Sequence, residues 1–340
     1  MSIAAIGVAG TAKNTGKTTT LVTLLNKFKG ESTIAVGLTG IGYDGESFDN
    51  VTGLPKPRID VYEGMFVAVT DRCIKFARAK INPLYQTDIR TALGTIVIGR
   101  VMEAGKLVLA GPVKGSDLKK VLELMYGFGA ELIFVDGALS RIAPFAETDA
   151  LIIATGASRN TDISLLAQEN EHLIKLLNFP LLAERGRVAH YGSILSDEGL
   201  NAFNNIAEAS DTICISGLVS GRFLEKILND FRLNGKLLLF DNAFKLVLAG
   251  EISKTWTLIE KKKSDIEIGL RRQLNVIAVT VNPYYPKYHY STSDYEAAFV
   301  DKEKLLYAVK SSMQLPCYDV LAQGPDGLFK DIVNYHRPGN

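Results

Sequence analysis

The sequence predicts an α/β fold: a mostly parallel sheet flanked by helices, followed by a second α/β region. Three observations carry that expectation. Short apolar runs alternate with amphipathic stretches along the 340 residues, the pattern of βαβ units. The first apolar run, IAAIGVA, passes through the loop GTAKNTGKTTT into the helical LVTLLNKF. After Pro180 the alternation of strand and helix starts again.

The elements follow in chain order. Ile3–Ala9 is a continuous apolar run, as expected of a strand buried on both faces. Thr18–Phe28 repeats apolar residues at Leu21, Leu24, Leu25 and Phe28, a helical period. Thr33–Leu38 is a second strand. The polar segment Thr39–Pro57 is too long for a simple connection and is expected to be functional. Arg58–Val61 and Met65–Val69 are expected to pair through a turn at Glu63–Gly64, and Asp71–Lys80 to form a helix. Thr95–Val101 and Lys106–Ala110 flank Met-Glu-Ala-Gly as a hairpin would. Ser116–Phe128 reads as a helix capped by Ser116. Leu132–Val135 is a strand ending at Asp136–Gly137, and Ala150–Ala154 is another, followed by the polar loop Thr155–Thr161 and a helix to Leu177. Beyond Pro180, Thr212–Ser216, Lys236–Phe240 and Asn275–Val281 read as strands, with a helix at Gly221–Asn229. A boundary near Pro180–Arg187 divides the chain into a first domain, 1–180, which carries the loop GTAKNTGKTTT, and a second α/β domain, 181–340, open to a partner-binding role. KKKSD at Lys261–Asp265 reads as a solvated turn, and NPYYPKYHYSTSDY at Asn282–Tyr295 as a loop laying aromatic rings on the surface, with partner or ligand binding as its sharper reading.

Composition narrows the class. With 47% hydrophobic and 22% charged residues the chain can build a sizeable core. A formal net charge of +1 gives no reason to expect nucleic acid or an anionic membrane as partner. Cys73, Cys214 and Cys317 form no C-x-x-C pair, which argues against a zinc site or a disulfide framework and for a reduced, cytoplasmic setting. No apolar run reaches the roughly 18 residues of a membrane span.

The chemistry is concentrated in Gly10–Thr20. A strand that turns into a helix presents backbone N–H groups at the positive end of the helix dipole, a seat for phosphate oxygens. Gly16, Lys17 and Thr18 match the second half of G-x-x-x-x-G-K-[ST], the phosphate loop of P-loop NTPases. In that role Lys17 reaches the terminal phosphates and the Thr18 hydroxyl coordinates Mg²⁺. The candidate nucleotide-binding residues are Gly10, Lys13, Asn14, Thr15, Gly16, Lys17, Thr18 and Thr19. The first glycine of the pattern falls one residue early, at Gly10 instead of position 11, so a bulge at Thr11 or Ala12 is expected in the tight turn.

Asp136, at the end of the apolar strand LIFV, has the Walker B arrangement and is a candidate catalytic and metal-binding carboxylate beside Lys17 and Thr18. Asp44, just after the second strand, is the candidate γ-phosphate sensor and further metal ligand, with Asp49 in reserve. An Asp-Gly turn is the plain alternative for both Asp136 and Asp44. No N/T-K-x-D segment stands in register to read guanine, which favours ATP over GTP. Thr155–Asn160 follows a strand within reach of a base.

AKNTGKTTT at Ala12–Thr20, GYDGESFDNVTGLPKP at Gly42–Pro57 and FVDGALSR at Phe134–Arg141 together resemble the KamB-like phosphate-loop ATPases, the reactivase subunits of lysine aminomutase. The first segment is also similar to MobB-like, dethiobiotin synthetase-like and ParA-like proteins. In the ParA-like group a signature lysine acts across a dimer from the position held here by Ala12, so that role is not carried to Lys13, whose action in cis or in trans stays open. The resemblance covers most of residues 1–180. It implies an ATP- and Mg²⁺-dependent chaperone, slow and partner-stimulated, that hydrolyses a phosphoanhydride bond to release damaged cofactor from an adenosylcobalamin-dependent aminomutase, with a companion reactivase subunit. None of the four histidines stands in a D-x-H-x-x-G pattern, so the mutase, not the cobalamin, is the expected contact. A dethiobiotin synthetase-like ligase, with Ser140–Arg141 anchoring a small carboxylate, and a nucleotide-gated binding module are the alternatives. A homodimer stays open.

Overall fold

The computed structural model describes residues 4–42, 58–289 and 294–336, and they form two compact α/β units. The first unit comprises residues 1–166 and 276–340, and the second is 167–275. The expected division at Pro180–Arg187 into 1–180 and 181–340 therefore differs from the one observed: the chain leaves the first unit earlier and returns to it for its last stretch. The reason is in the cores. Ala278, Val320, Leu328 and Ile332 are buried in the same apolar cluster as Ile6, Leu24 and Phe134.

In chain order the first unit runs β1 (Ala4–Gly10), α1 (Lys17–Glu31), β2 (Val36–Gly40), β3 (Arg58–Val61), β4 (Phe66–Thr70), α2 (Asp71–Lys75), β5 (Lys80–Thr91), β6 (Gly94–Glu103), β7 (Gly105–Val108), α3 (Gly115–Gly127), β8 (Leu132–Ala138) and β9 (Ala150–Gly156). Helix α4 (Ile163–Leu177) leads into the second unit, made of β10 (Val188–Tyr191), α5 (Asp197–Glu208), β11 (Thr212–Ile215), α6 (Gly221–Leu228), β12 (Leu237–Asn242), α7 (Phe244–Val247), α8 (Ile252–Lys262) and β13 (Glu267–Arg272). The chain then returns through β14 (Asn275–Asn282), β15 (Tyr284–His289), β16 (Asp294–Phe299), α9 (Lys302–Ser311), β17 (Cys317–Tyr318) and α10 (Asp326–His336).

Nine strands form the main sheet in the order β17-β14-β9-β1-β8-β2-β4-β6-β5. It is mostly parallel, with β1 central and paired to β8 on one side and β9 on the other. Every residue of β1 and β9 is buried, which is why both read as unbroken apolar runs. Helix α1 buries Leu21, Leu24, Leu25 and Phe28. The Phe28 ring meets Phe134 of β8 edge-on at 5.6 Å and Phe329 of α10 at 4.8 Å, so the last helix is part of the first unit's core. The second unit carries a parallel sheet in simple sequence order, β10-β11-β12-β13.

Several local expectations are corrected. Asn275–Val281 is a strand, but it joins the main sheet as β14 and not the sheet of β11 and β12. The segments at Arg58–Val61 and Met65–Val69 do not pair: β3 pairs antiparallel with β7, and β4 pairs with β2 and β6. The hairpin expected across Met102–Gly105 is likewise diverted. At Gly105 the backbone of Arg78 and Ala79 passes so close that a Cβ would sit 2.5 Å from Ala79 N. Arg78 N donates to Lys106 O (2.8 Å), and β7 turns away to cover Ile59 and Val61 with Leu107 and Val108. The hairpin partner of β6 is β5, an edge strand whose Pro83 falls beside a register shift, where a missing N–H costs the ladder little. Helix α2 stops at Lys75, and Asn282–Tyr295 spans the end of β14 and most of the β15–β16 hairpin, not a plain loop. Residues 43–57, including Asp44 and Asp49, lie outside the described residues.

No described helix is long and apolar enough to cross a membrane. Cys73, Cys214 and Cys317 are buried thiols, and burial pushes Cys214 up to about 11 and Cys317 up to about 12.

Candidate functional site

The site lies where the main sheet changes direction. From β1 the chain builds outward to β8, β2 and β4 on one flank and to β9, β14 and β17 on the other. Open α/β sheets leave a crevice outside the carboxyl ends of their strands at such a switch. The loop from β1 to α1 emerges there and lines a cleft of about 670 Å³.

The loop's shape is set by two left-handed residues. Gly16 has φ 88° and Asn14 φ 65°, the one described non-glycine residue at positive φ. Asparagine tolerates this region better than most side chains. The left-handed turn falls at Asn14 and Gly16, and neither Thr11 nor Ala12, where a bulge was expected, has a positive φ. Gly10 stays in the strand; a Cβ there would come within 3.2 Å of Thr15 Oγ1, so the loop folds closely back over it. Thr15 is buried and its hydroxyl donates to Ala12 O (2.9 Å). Thr11 N donates to Ala154 O (2.9 Å), tying the loop to the end of β9. The first helical bond of α1 runs from Thr20 N to Gly16 O (2.8 Å). Gly16, Lys17, Thr18 and Thr19 precede it and line the cleft, the arrangement that suits an anion at a helix start.

Lys17 and Asp136 are brought together. Lys17 Nζ lies 2.9 Å from Asp136 Oδ2, with the two side chains only 11% and 13% exposed. The register Val8↔Asp136 and Gly40↔Asp136 puts this carboxylate between β1 and β2, beside the loop. Lys13, Arg141 and Arg159 also line the cleft, and among the described residues that do so there is no carboxylate. Arg141 reaches back to Ile41 O (3.2 Å) at the end of the second strand. The cleft is thus electropositive and fits a multiply charged anion.

For a cation the available protein donors are oxygens: the Thr18 hydroxyl and the Asp136 carboxylate. A few hard oxygens beside an anion suit Mg²⁺, which retains most of its waters. No cluster of three or more His, Cys, Asp or Glu among the described residues forms a closed metal cage. Asp44, the third candidate ligand, lies outside those residues.

Sequence reasoning named Asn282, at the end of β14, only as the first residue of Asn282–Tyr295 and did not join it to the phosphate loop. Its Nδ2 donates to Asn14 O (2.9 Å), and a Cβ on Gly16 would meet Asn282 Cβ at 3.0 Å. Asn282 O accepts from Ala157 N (2.9 Å). One residue from the far end of the chain thus clasps the loop. The local signal was an Asn-Pro step closing the apolar run VIAVTV; nothing local says that this strand lies beside β9. No family model, curated protein or solved structure matches the chain.

Proposed function

We propose that the chain is a P-loop NTPase that binds ATP with Mg²⁺ and hydrolyses it as a reactivase or chaperone subunit for an adenosylcobalamin-dependent aminomutase. The observation that carries the nucleotide reading is the Lys17–Asp136 pair beneath a loop bent by Asn14 and Gly16 at the switch point of the sheet. The reactivase assignment rests on the resemblance of Ala12–Thr20, Gly42–Pro57 and Phe134–Arg141 to the KamB-like ATPases.

In this reading Lys17 Nζ leaves Asp136 Oδ2 for the terminal phosphate oxygens. Backbone N–H groups at the start of α1 hold the remaining oxygens. Thr18 and Asp136 are the residues that would hold Mg²⁺, which when bound neutralises charge building between the β- and γ-phosphates. Arg141 adds a second cation near the end of β2. Nucleotide state then biases contact with the mutase, the companion subunit completing the machine.

The test is steady-state phosphate release from ATP and GTP with Mg²⁺, with and without a cobalamin-dependent aminomutase. Slow release that rises with the mutase and disappears in Lys17→Ala is expected. Release indifferent to the mutase sinks the reactivase assignment. A ligase of the dethiobiotin synthetase type is the second reading, favoured by one observation: Ser140 and Arg141 line the same cleft and can anchor a small carboxylate. Release stimulated by a small carboxylic acid in place of the mutase would move the assignment there.

A further inference from the structure

Beyond the phosphate loop the cleft has a second wall, supplied by Arg159 and Tyr284. They come from segments more than a hundred residues apart in sequence, after β9 and after β14. Tyr284 is held at both backbone polar groups. Its N–H donates to Asn282 Oδ1 (3.2 Å) and its carbonyl accepts from Ser158 Oγ (3.0 Å). The half-buried ring packs edge-on against Phe299 across the β15–β16 hairpin, with centroids 5.7 Å apart. Arg159 sits on a turn closed by its own N–H to Gly156 O (2.8 Å). The Asn282 carboxamide joins the two walls: it donates to the phosphate-side loop at Asn14 O and accepts from Tyr284.

We propose that Tyr284 is the nucleobase-stacking residue of this cleft, with Arg159 as the cationic partner on the same wall. The inference rests on the nucleotide reading above and deepens it. An aromatic ring anchored beside the loop that would hold the phosphates is what a base needs in the same cleft. Stacking uses the π-face that every base has, so it contributes equally to ATP and GTP. Arginine adds a cation against the same π-system. Stacking by itself does not separate adenine from guanine.

The experiment is calorimetric titration of the full chain with ATP, GTP and tripolyphosphate, each with Mg²⁺, on wild type, Tyr284→Ala, Tyr284→Phe, Arg159→Ala and Lys17→Ala. Base stacking of about 1–3 kcal/mol corresponds to roughly five- to hundredfold in affinity. Tyr284→Ala is expected to weaken ATP and GTP by a common factor of about tenfold or more while tripolyphosphate changes less than about twofold. Tyr284→Phe keeps the ring and is expected to bind ATP as wild type does. Unchanged ATP affinity in Tyr284→Ala, with Lys17→Ala inactive, overturns the stacking role and leaves the phosphate reading intact. Wild-type ATP affinity in Lys17→Ala overturns the phosphate reading itself. Equal losses for ATP and tripolyphosphate in Tyr284→Ala would show that the ring only shapes the loop, and the proposal falls. Tripolyphosphate binding also certifies that the variant folds; should the alanine variant not fold, Tyr284→Leu replaces it with the same expectations.

Discussion

Gly16 and Lys17 illustrate how much of the site depends on single atoms. Gly16 occupies a left-handed conformation that costs a side-chain-bearing residue about 1 kcal/mol or more. A methyl group there would also press within 3.0 Å of Asn282 Cβ and displace the clasp on Asn14. Gly16→Ala is therefore expected to lower unfolding free energy by about 1–3 kcal/mol in urea titrations and to weaken nucleotide binding. Asn14→Gly, which keeps the left-handed backbone, is expected to change stability by less than about 1 kcal/mol. Equal losses in the two would show that backbone conformation does not set the loop. Lys17 and the neighbouring carboxylate Asp136 were both legible from their motifs; their direct ion pair was not, because Asp136 lies 119 residues away and meets Lys17 only through the pairing of β1 with β8.

At the scale of elements, apolar periodicity located those with a single strong signal. Helix α1 and strands β1 and β9 were read close to their observed limits, because burial leaves an unbroken apolar run or a helical stripe, whereas β8 was read only to Val135, where its full burial ends. Strand β5 was missed: it lies at the sheet edge, largely exposed, and its polar sequence KINPLYQTDIRT carries little alternation. Pairing was less legible than existence, since a strand's sequence does not name its neighbour. The packing of α4 on α8 offers a direct check on an element contact. His172 Nδ1 lies 3.0 Å from Ser253 Oγ, and its ring stacks on Trp256 at 6.3 Å. Burial holds the His172 imidazole below its ordinary value, outweighing the nearby Glu171 carboxylate. Trp256 is the sole tryptophan, and a protonated imidazole quenches indole emission. Fluorescence is expected to fall on acidification with a midpoint below about 6.5, and His172→Gln to abolish the transition. The stability contribution has the matching sign. The unfolded chain binds this proton more readily, so stability rises with pH from the lowered folded value up to about 6.5 and is lost below that window. A midpoint above 6.5 would contradict the packing.

At the scale of the molecule, the return of the chain after the second unit decides what can fold alone. A fragment of residues 1–180 lacks β14, β17 and α10. It would uncover β9, whose seven residues are all buried, and the Phe28 face covered by Phe329. Loss of Leu328 and Ile332 alone removes side chains worth about 2–5 kcal/mol each in a core. That fragment is expected to be aggregated or molten by circular dichroism and proton NMR. Residues 163–275, which hold the four parallel strands and α4 whole, are expected to give a cooperative thermal transition. A cooperatively folded 1–180 would overturn this account of the first unit.

Local sequence by itself determined the alternation of strand and helix, the phosphate-loop pattern at Gly16–Thr18 and the carboxylate closing the strand at Asp136. Each follows from interactions along a few neighbouring residues: backbone conformation, apolar period and the exposed amides of a helix start. Only the tertiary structure decided that Lys17 and Asp136 form a direct ion pair, that Asn282 clasps Asn14, and that the segments carrying Arg159 and Tyr284 converge on one cleft. Those contacts depend on strand order, because β14 lies beside β9 with the whole second unit inserted between them in sequence. Strand order is selected by the joint burial of many apolar faces, a sum over the core that no short stretch of sequence carries.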